Sequence, residues 1–243
     1  MDGVAQLLGE ENWTKADKLR QPQDYAWLDA ESHPIRIAHA LGDSGLASAN
    51  SLAALASSHR KGFRVFEVDI SVVSGALRCR HDPAQESVAL PDECRFDTLL
   101  KALPADSWLV LDIKSDFVEA GNLIVQVLQR TGQARQVIFQ LYLPDQVALF
   151  NRWQTMLPLA GPIVTAYLAH RRIDSVAQNA ERIGARVLTL PIERLEALEH
   201  RPPGLELFLH PVHDCKTFRM AQTAGAQGVY TLETLPCAEA KSR

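Results

Sequence analysis

The chain has 243 residues, 47% of them hydrophobic and 22% charged, with a net charge of −4 and a pI near 6.1. This is the composition of a folded globular chain long enough for one large domain or two small ones, and its acidic balance without a Lys/Arg cluster argues against nucleic-acid binding, which depends on basic patches. No run approaches the roughly 20 apolar residues that span a bilayer, and Met1 to Pro34 lacks the apolar core of a signal peptide, so no transmembrane segment is expected and the expected location is cytoplasmic.

Residues 1–34 place Trp13, Tyr25 and Trp27 among charges, which predicts an ordered arm packed on a domain formed by residues 35–243. After Pro34 short β-branched runs alternate with amphipathic stretches. The predicted strands are Ile35–Ala38, Arg64–Ile70, Trp108–Ile113, Val137–Leu141, Ile163–Leu168, Arg186–Leu190, Glu206–Leu209 and Gly228–Thr231. Between them the spacing predicts helices over Ser51–Lys61, Asp97–Leu103, Val118–Arg130, Pro144–Gln154, Ile173–Ile183, Glu193–His200 and Cys215–Thr223. Pro144 suits a first helical turn, and Gly62, Gly132, Gly184 and Gly225 fall where helix C-caps belong. Eight strands alternating with helices close most naturally into a parallel β/α barrel. A doubly wound open sheet is the second choice, and no G-x-G-x-x-G turn supports it.

Within the second strand, Glu67 and Asp69 interrupt an apolar run at a spacing of two, which puts both on one face. Two unpaired carboxylates side by side in a core are costly unless something positive lies between them, and a metal ion is the simplest candidate. The third strand repeats the pattern with Asp112 and Lys114. His39 follows the first strand, and His81, in Arg80-His81-Asp82-Pro83, follows the second. In a β/α barrel the ends of strands carry catalytic groups, and all of these residues fall there. Taken singly, each has a plainer reading: salt-bridged carboxylates at a rim, an Asp112–Lys114 ion pair, a buried histidine, a turn at His81 to Pro83, and helix capping for Asn50.

Four cysteines, Cys79, Cys94, Cys215 and Cys237, show no Cys-x-x-Cys spacing. Free thiols are the expectation, with a Cys79–Cys94 bridge left open because both flank the loop that carries His81.

In order along the chain, Ile37-Ala38-His39, Asn50-Ser51-Leu52, Glu67-Val68-Asp69, His81-Asp82-Pro83 and Leu111-Asp112-Ile113-Lys114 resemble the motifs of the glycerophosphodiester phosphodiesterase family, within the superfamily of the phosphatidylinositol-specific phospholipases C. A weaker match continues to Gly225–Thr231, so the resemblance covers about residues 35 to 236. It departs from the common pattern at Ala40, where relatives have arginine, at Ala49, where they have glutamate, and at Asp112, where many have glutamate. The segment from Asp82 to Ser107 is too short for the family's usual inserted subdomain, which suggests a bacterial branch with a more open site.

The resemblance implies a metal-dependent phosphoric diester hydrolase acting on glycerophosphodiesters or a related phospholipid headgroup. Glu67, Asp69 and Asp112 would hold one divalent cation, Mg²⁺ or Ca²⁺; His39 and His81 would be the acid–base pair acting through a cyclic phosphate; and Lys114 would contact the substrate phosphate. Oxygen ligands suit such cations and an ammonium suits a phosphoryl oxygen. Asn50, Gln140, Tyr142 and His210 are candidate substrate contacts, with His213 a further candidate for the mouth. Two alternatives remain: a phospholipase D-like transferase that releases cyclic phosphate, suggested by Asp112 and the short loop, and a catalytically silent barrel that binds phosphorylated ligands, suggested by Ala40 and Ala49.

Overall fold

The structure is a computed structural model that describes residues 15–30, 33–42, 49–81, 94–166, 172–232, 235 and 237. Among the described residues there are nine strands: β1 (Ile35–Ala38), β2 (Val65–Val73), β3 (Ala76–Cys79), β4 (Trp108–Ile113), β5 (Val137–Leu141), β6 (Ile163–Thr165), β7 (Val187–Pro191), β8 (Glu206–His210) and β9 (Gly228–Thr231). All but β3 pair in parallel, in the order β1-β9-β8-β7-β6-β5-β4-β2, and a β1–β2 pairing closes the ring. Closure makes this an eight-stranded β/α barrel and rules out the open sheet.

The helices are α1 (Leu52–Arg60), α2 (Phe96–Ala102), α3 (Phe117–Thr131), α4 (Pro144–Gln154), α5 (Ile173–Ile183) and α6 (Cys215–Thr223). Ser51 caps α1 by accepting the Ala54 N–H, so of the two readings of Asn50 the capping one does not hold. Pro144 opens α4, and Gly132 and Gly184 end α3 and α5 in the left-handed conformation. The helix expected over Glu193–His200 is instead a 3-10 segment, Ile192–Ala197. Ile192 and Leu195 within it and Leu198 just after it recur every three positions, the period of a 3-10 turn rather than of an α-helix.

Sequence reading missed β3. Beyond Ile70, β2 leaves the barrel wall and folds back antiparallel onto β3 through Ser74-Gly75, both with positive φ, as a two-residue hairpin turn requires. Cys79 at the end of β3 is bonded to Cys94, and Cys215 at the start of α6 to Cys237. The expectation of four free thiols is therefore overturned. Sequence spacing held no sign of the second bridge, because its partners meet only once β8, α6 and β9 are assembled.

Side chains at alternate positions fill the barrel. Ile35, Ile37, Val65, Val110, Ile138, Ile163, Val187, Phe208 and Tyr230 form one apolar cluster inside it, separate from the larger cluster between the strands and the helices. The described part of the preceding segment joins the inner cluster. Trp27 is fully buried, donates from Nε1 to the Gly161 carbonyl at 3.2 Å, and meets the Phe208 ring edge-on at 5.6 Å. Phe208 in turn occupies the space a side chain at residue 228 would need: a Cβ there would come within 1.9 Å of its ring, which is why β9 begins with glycine.

Removing the Trp27 indole leaves a cavity beneath this plug. Trp27→Ala is expected to lower unfolding stability by about 3–5 kcal/mol, read from the shift of the urea midpoint at an unchanged slope. Thiol titration of the unreduced, denatured chain should find no free cysteine; recovery of two or four would contradict the pairing.

Candidate active site

One end of the barrel opens into a cavity of about 210 Å³, bordered by His39, Glu67, Asp69, His81, Asp112, Lys114, Gln140, Tyr142, Thr165, His210 and Tyr230, with Ala40 at its edge. The alternation that buries Val65 and Val110 points Glu67, Asp69 and Asp112 to the same side. Asp69 and Asp112 face each other in register on β2 and β4. One oxygen from each of the three carboxylates lies within 4.8 Å of the others.

Each acid is held differently. Glu67, 1% exposed, accepts the Ala40 N–H on Oε2 at 2.8 Å, while its buried Oε1 meets no partner among the described residues. The Ala40 N–H can reach it because the backbone after His39 is left-handed, with φ of 50° at Ala40 and 65° at Leu41. This is an unfavourable conformation for residues with a Cβ and one that concentrates at functional sites. Asp69 is gripped from both sides by Asn50, which donates from Nδ2 to Oδ2 at 2.9 Å and accepts the Asp69 N–H at 3.0 Å. Lys114 bridges Asp69 and Asp112 at 3.1 and 2.8 Å.

Burial, with Asp69 and Asp112 nearby, pushes the Glu67 carboxyl well above the usual range. For Lys114, burial works to lower the pKa, but Asp112 and Asp69 together outweigh it and hold the ammonium charged. Burial lowers His39, against the pull of Asp69 and with help from His213. Its Nε2 stands 3.8 Å from Glu67 Oε2, and its ring lies nearly parallel to that of His213 at 6.4 Å. Burial also raises the Tyr142 and Tyr230 hydroxyls, reinforced by Asp112 for the first and Glu67 for the second.

Of the residues singled out from sequence, His39, Glu67, Asp69, His81, Asp112, Lys114, Gln140, Tyr142 and His210 border the one cavity. His81 sits exposed at its rim, and Asp82 and Pro83 lie outside the described residues. Asn50 engages Asp69, so it orients an acid of the site. Sequence reading missed the Ala40 N–H, Thr165, Thr189 and Tyr230. The last three lie two residues beyond inward-facing Ile163, Val187 and Gly228, so extending the period-two reading of Glu67 and Asp69 to β6, β7 and β9 would have found them.

The donor set fits a divalent cation. Three carboxylates against one ammonium leave net negative charge, all donors are oxygens of the kind Mg²⁺ and Ca²⁺ prefer, and Glu67 Oε1 is a buried acceptor awaiting a partner, a condition proteins rarely leave uncompensated.

No family model matches this chain, and no curated protein matches it in sequence. Solved structures share its fold. A glycerophosphodiester phosphodiesterase from Parabacteroides distasonis superposes with a TM-score of 0.66 at 16% identity, covering 83% of this chain and 94% of the other. One from Thermotoga maritima gives 0.64 at 16%, over 84% and 96%. An Oleispira antarctica phosphodiesterase, solved with its product sn-glycerol-3-phosphate, gives 0.62 at 16%, over 82% and 93%. The likeness spans nearly the whole of each enzyme and establishes that this chain has their fold.

His210 supplies a test of the site's electrostatics. Burial first, then His39 and Lys114, push its pKa from 6.5 down to about 4. The unfolded chain therefore takes up this proton at a higher pH than the folded one, so full stability holds above about pH 6.5 and falls as pH drops toward 4, by up to about 1.4 kcal/mol per pH unit. Replacing His210 by Asn should flatten that part of the stability–pH profile, measured by denaturant unfolding between pH 4 and 7.

Proposed function

We propose that this protein is a metal-dependent phosphoric diester hydrolase acting on glycerophosphodiesters or a related phospholipid headgroup. The observation that carries this reading is the convergence of Glu67, Asp69 and Asp112, with an unpartnered Glu67 oxygen, beside His39 at the open end of the barrel. The fold shared with glycerophosphodiester phosphodiesterases supports it, as does the product held by the Oleispira antarctica enzyme.

In this reading Glu67, Asp69 and Asp112 hold one Mg²⁺ or Ca²⁺, which when bound supplies Lewis-acid stabilisation of charge on the phosphoryl oxygens. Lys114 holds Asp69 and Asp112 together by ion pairing to both, and its ammonium adds positive charge beside the phosphate. His39, whose pKa is lowered, takes the proton of a substrate hydroxyl next to the phosphodiester. That oxygen bonds to phosphorus, the bond to the leaving alcohol breaks, and His81 at the rim gives the departing oxygen its proton. A cyclic phosphate results, which water then opens with the two histidines in exchanged roles. Asn50 fixes Asp69, and the Ala40 N–H fixes one Glu67 oxygen so that the other is free for the cation.

No helix among the described residues is long and apolar enough to cross a membrane, and the proposed substrate is a small molecule or a headgroup. Two disulfides favour an oxidising compartment over the cytoplasmic location expected from the sequence.

Hydrolysis of a glycerophosphodiester should be abolished by a chelator and restored by Mg²⁺ or Ca²⁺. His39→Ala and His81→Ala should each lower kcat by about 10²- to 10⁴-fold. Phosphorus NMR should show the cyclic phosphate as a transient; its persistence would favour the phospholipase D-like transferase. Turnover indifferent to chelator and to both substitutions would overturn the mechanism, and ligand binding without turnover at any metal concentration would favour a silent binding barrel.

A further inference from the structure

The backbone of His39 is fixed, but its ring is not held by hydrogen bonds. The His39 carbonyl accepts the Gly42 N–H at 2.7 Å, and the Ala40 carbonyl accepts the Asn50 N–H at 2.8 Å. The ring nitrogens are different. Nδ1 is buried and meets no hydrogen-bond partner among the described residues, and Nε2, at 3.8 Å from Glu67 Oε2, lies beyond hydrogen-bond reach. A histidine that moves protons at one nitrogen ordinarily has its orientation set by an acceptor at the other. In place of an acceptor His39 has a second ring: His213 lies beside it with centroids 6.4 Å apart and planes inclined by 22°, within the range of offset aromatic pairs.

His213 is exposed, yet the chain on both sides of it is anchored. Val212 is fully buried and donates its N–H to the Tyr230 carbonyl at 2.8 Å. Asp214 caps α6 by accepting the Thr217 N–H at 2.7 Å, and Cys215 is bonded to Cys237. An exposed imidazole thus stands on a fixed base beside a buried one that lacks a hydrogen-bonded partner. It is not among the residues that border the cavity.

We propose that His213 is a positioning residue for the reaction: its ring, packed on that of His39, holds the His39 imidazole in the orientation that places Nε2 beside Glu67. The proposal rests on the hydrolase reading for what His39 does and adds what keeps it in place. Without the stacked ring, no contact to a ring nitrogen of His39 among the described residues opposes rotation about its side-chain bonds. A proton-transferring group works only for the fraction of time it is aligned with the substrate, so a loosened ring lowers the rate of the chemical step. Substrate affinity is unaffected, because His213 stands outside the cavity. The function demands a flat ring at residue 213 and not its nitrogens, which separates it from a proton donor or a substrate contact.

Three variants of the full chain test this, with Mg²⁺ or Ca²⁺ supplied and glycerophosphodiesters of choline, ethanolamine, glycerol and inositol as substrates. His213→Ala and His213→Gln remove the ring, and each should lower kcat about 3- to 10-fold, the worth of one aromatic pair, with KM within about twofold and an unchanged melting temperature. His213→Phe keeps a ring and should restore kcat to within about twofold. A second readout needs no turnover: NMR relaxation of the histidine ring carbons, with the His39 signal assigned by its loss in His39→Ala, should show an ordered His39 ring in the parent chain and in His213→Phe and a mobile one in the two ringless variants. An equally ordered His39 ring in all of them, or ringless variants with the parent kcat, would overturn the proposal. Loss of kcat in His213→Phe as large as in His213→Ala would also overturn it and make the imidazole itself a proton carrier, and a rise in KM alone would make His213 a substrate contact instead. A His39 ring that loosens in the ringless variants of a chain that hydrolyses no diester would end the hydrolase reading and keep the positioning role.

Discussion

Three carboxylates packed within 4.8 Å at the end of a barrel constrain much of the structure around them. At an effective dielectric near 20, two like charges at that distance repel by about 3–4 kcal/mol, so the cluster holds together only because each acid is compensated separately. Asp69 and Asp112 share the Lys114 ammonium. Asn50 supplies two hydrogen bonds to Asp69. Glu67 has the Ala40 N–H on one oxygen, and with burial and two acidic neighbours its pKa rises. The left-handed backbone at Ala40 and Leu41 accompanies the same contact: it presents the Ala40 N–H to Glu67 with His39 Nε2 3.8 Å from that carboxylate.

The interior of the barrel gives these charges a floor. The apolar plug from Ile37 to Tyr230, closed from below by Trp27, supports the polar layer and shuts the lower end of the barrel against water. Above it, on strand after strand, the next inward-facing residue is polar: Glu67 over Val65, Asp112 over Val110, Gln140 over Ile138, Thr165 over Ile163, Thr189 over Val187, His210 over Phe208. The boundary is staggered between some neighbours, with Glu67 opposite Val110, Gln140 opposite Ile163 and Thr189 opposite Phe208, as the tilt of strands in a closed barrel requires. A single change of polarity per strand thus builds both the core and the site.

The two disulfides bear on this same end. Cys79–Cys94 ties the strand leading to His81 to the start of α2, and Cys215–Cys237 ties the start of α6, just after His210 and His213, to the segment following β9. Each closes a connection flanking the cavity, where the barrel's own hydrogen bonds have ended. In the chain-entropy account, loops of 15 and 22 residues each gain about 3 kcal/mol from such a cross-link.

By itself the sequence determined the barrel and its charged half. Alternation of β-branched runs with amphipathic stretches is enough for eight β/α units, and Glu67, Asp69, Asp112 and Lys114 stand out because ionisable residues in an apolar run have no ordinary structural use. The neutral half escaped notice for the opposite reason: Thr165 and Tyr230 are normal residues for strands, and only closure of the ring reveals that they border a cavity. Tertiary structure also decided the role of Asn50, the hairpin from β2 to β3, the pairing of Cys215 with Cys237 and the hydrogen bond from Ala40 to Glu67. Each of these depends on where distant segments of chain come to lie, which periodicity along a single strand or helix does not encode.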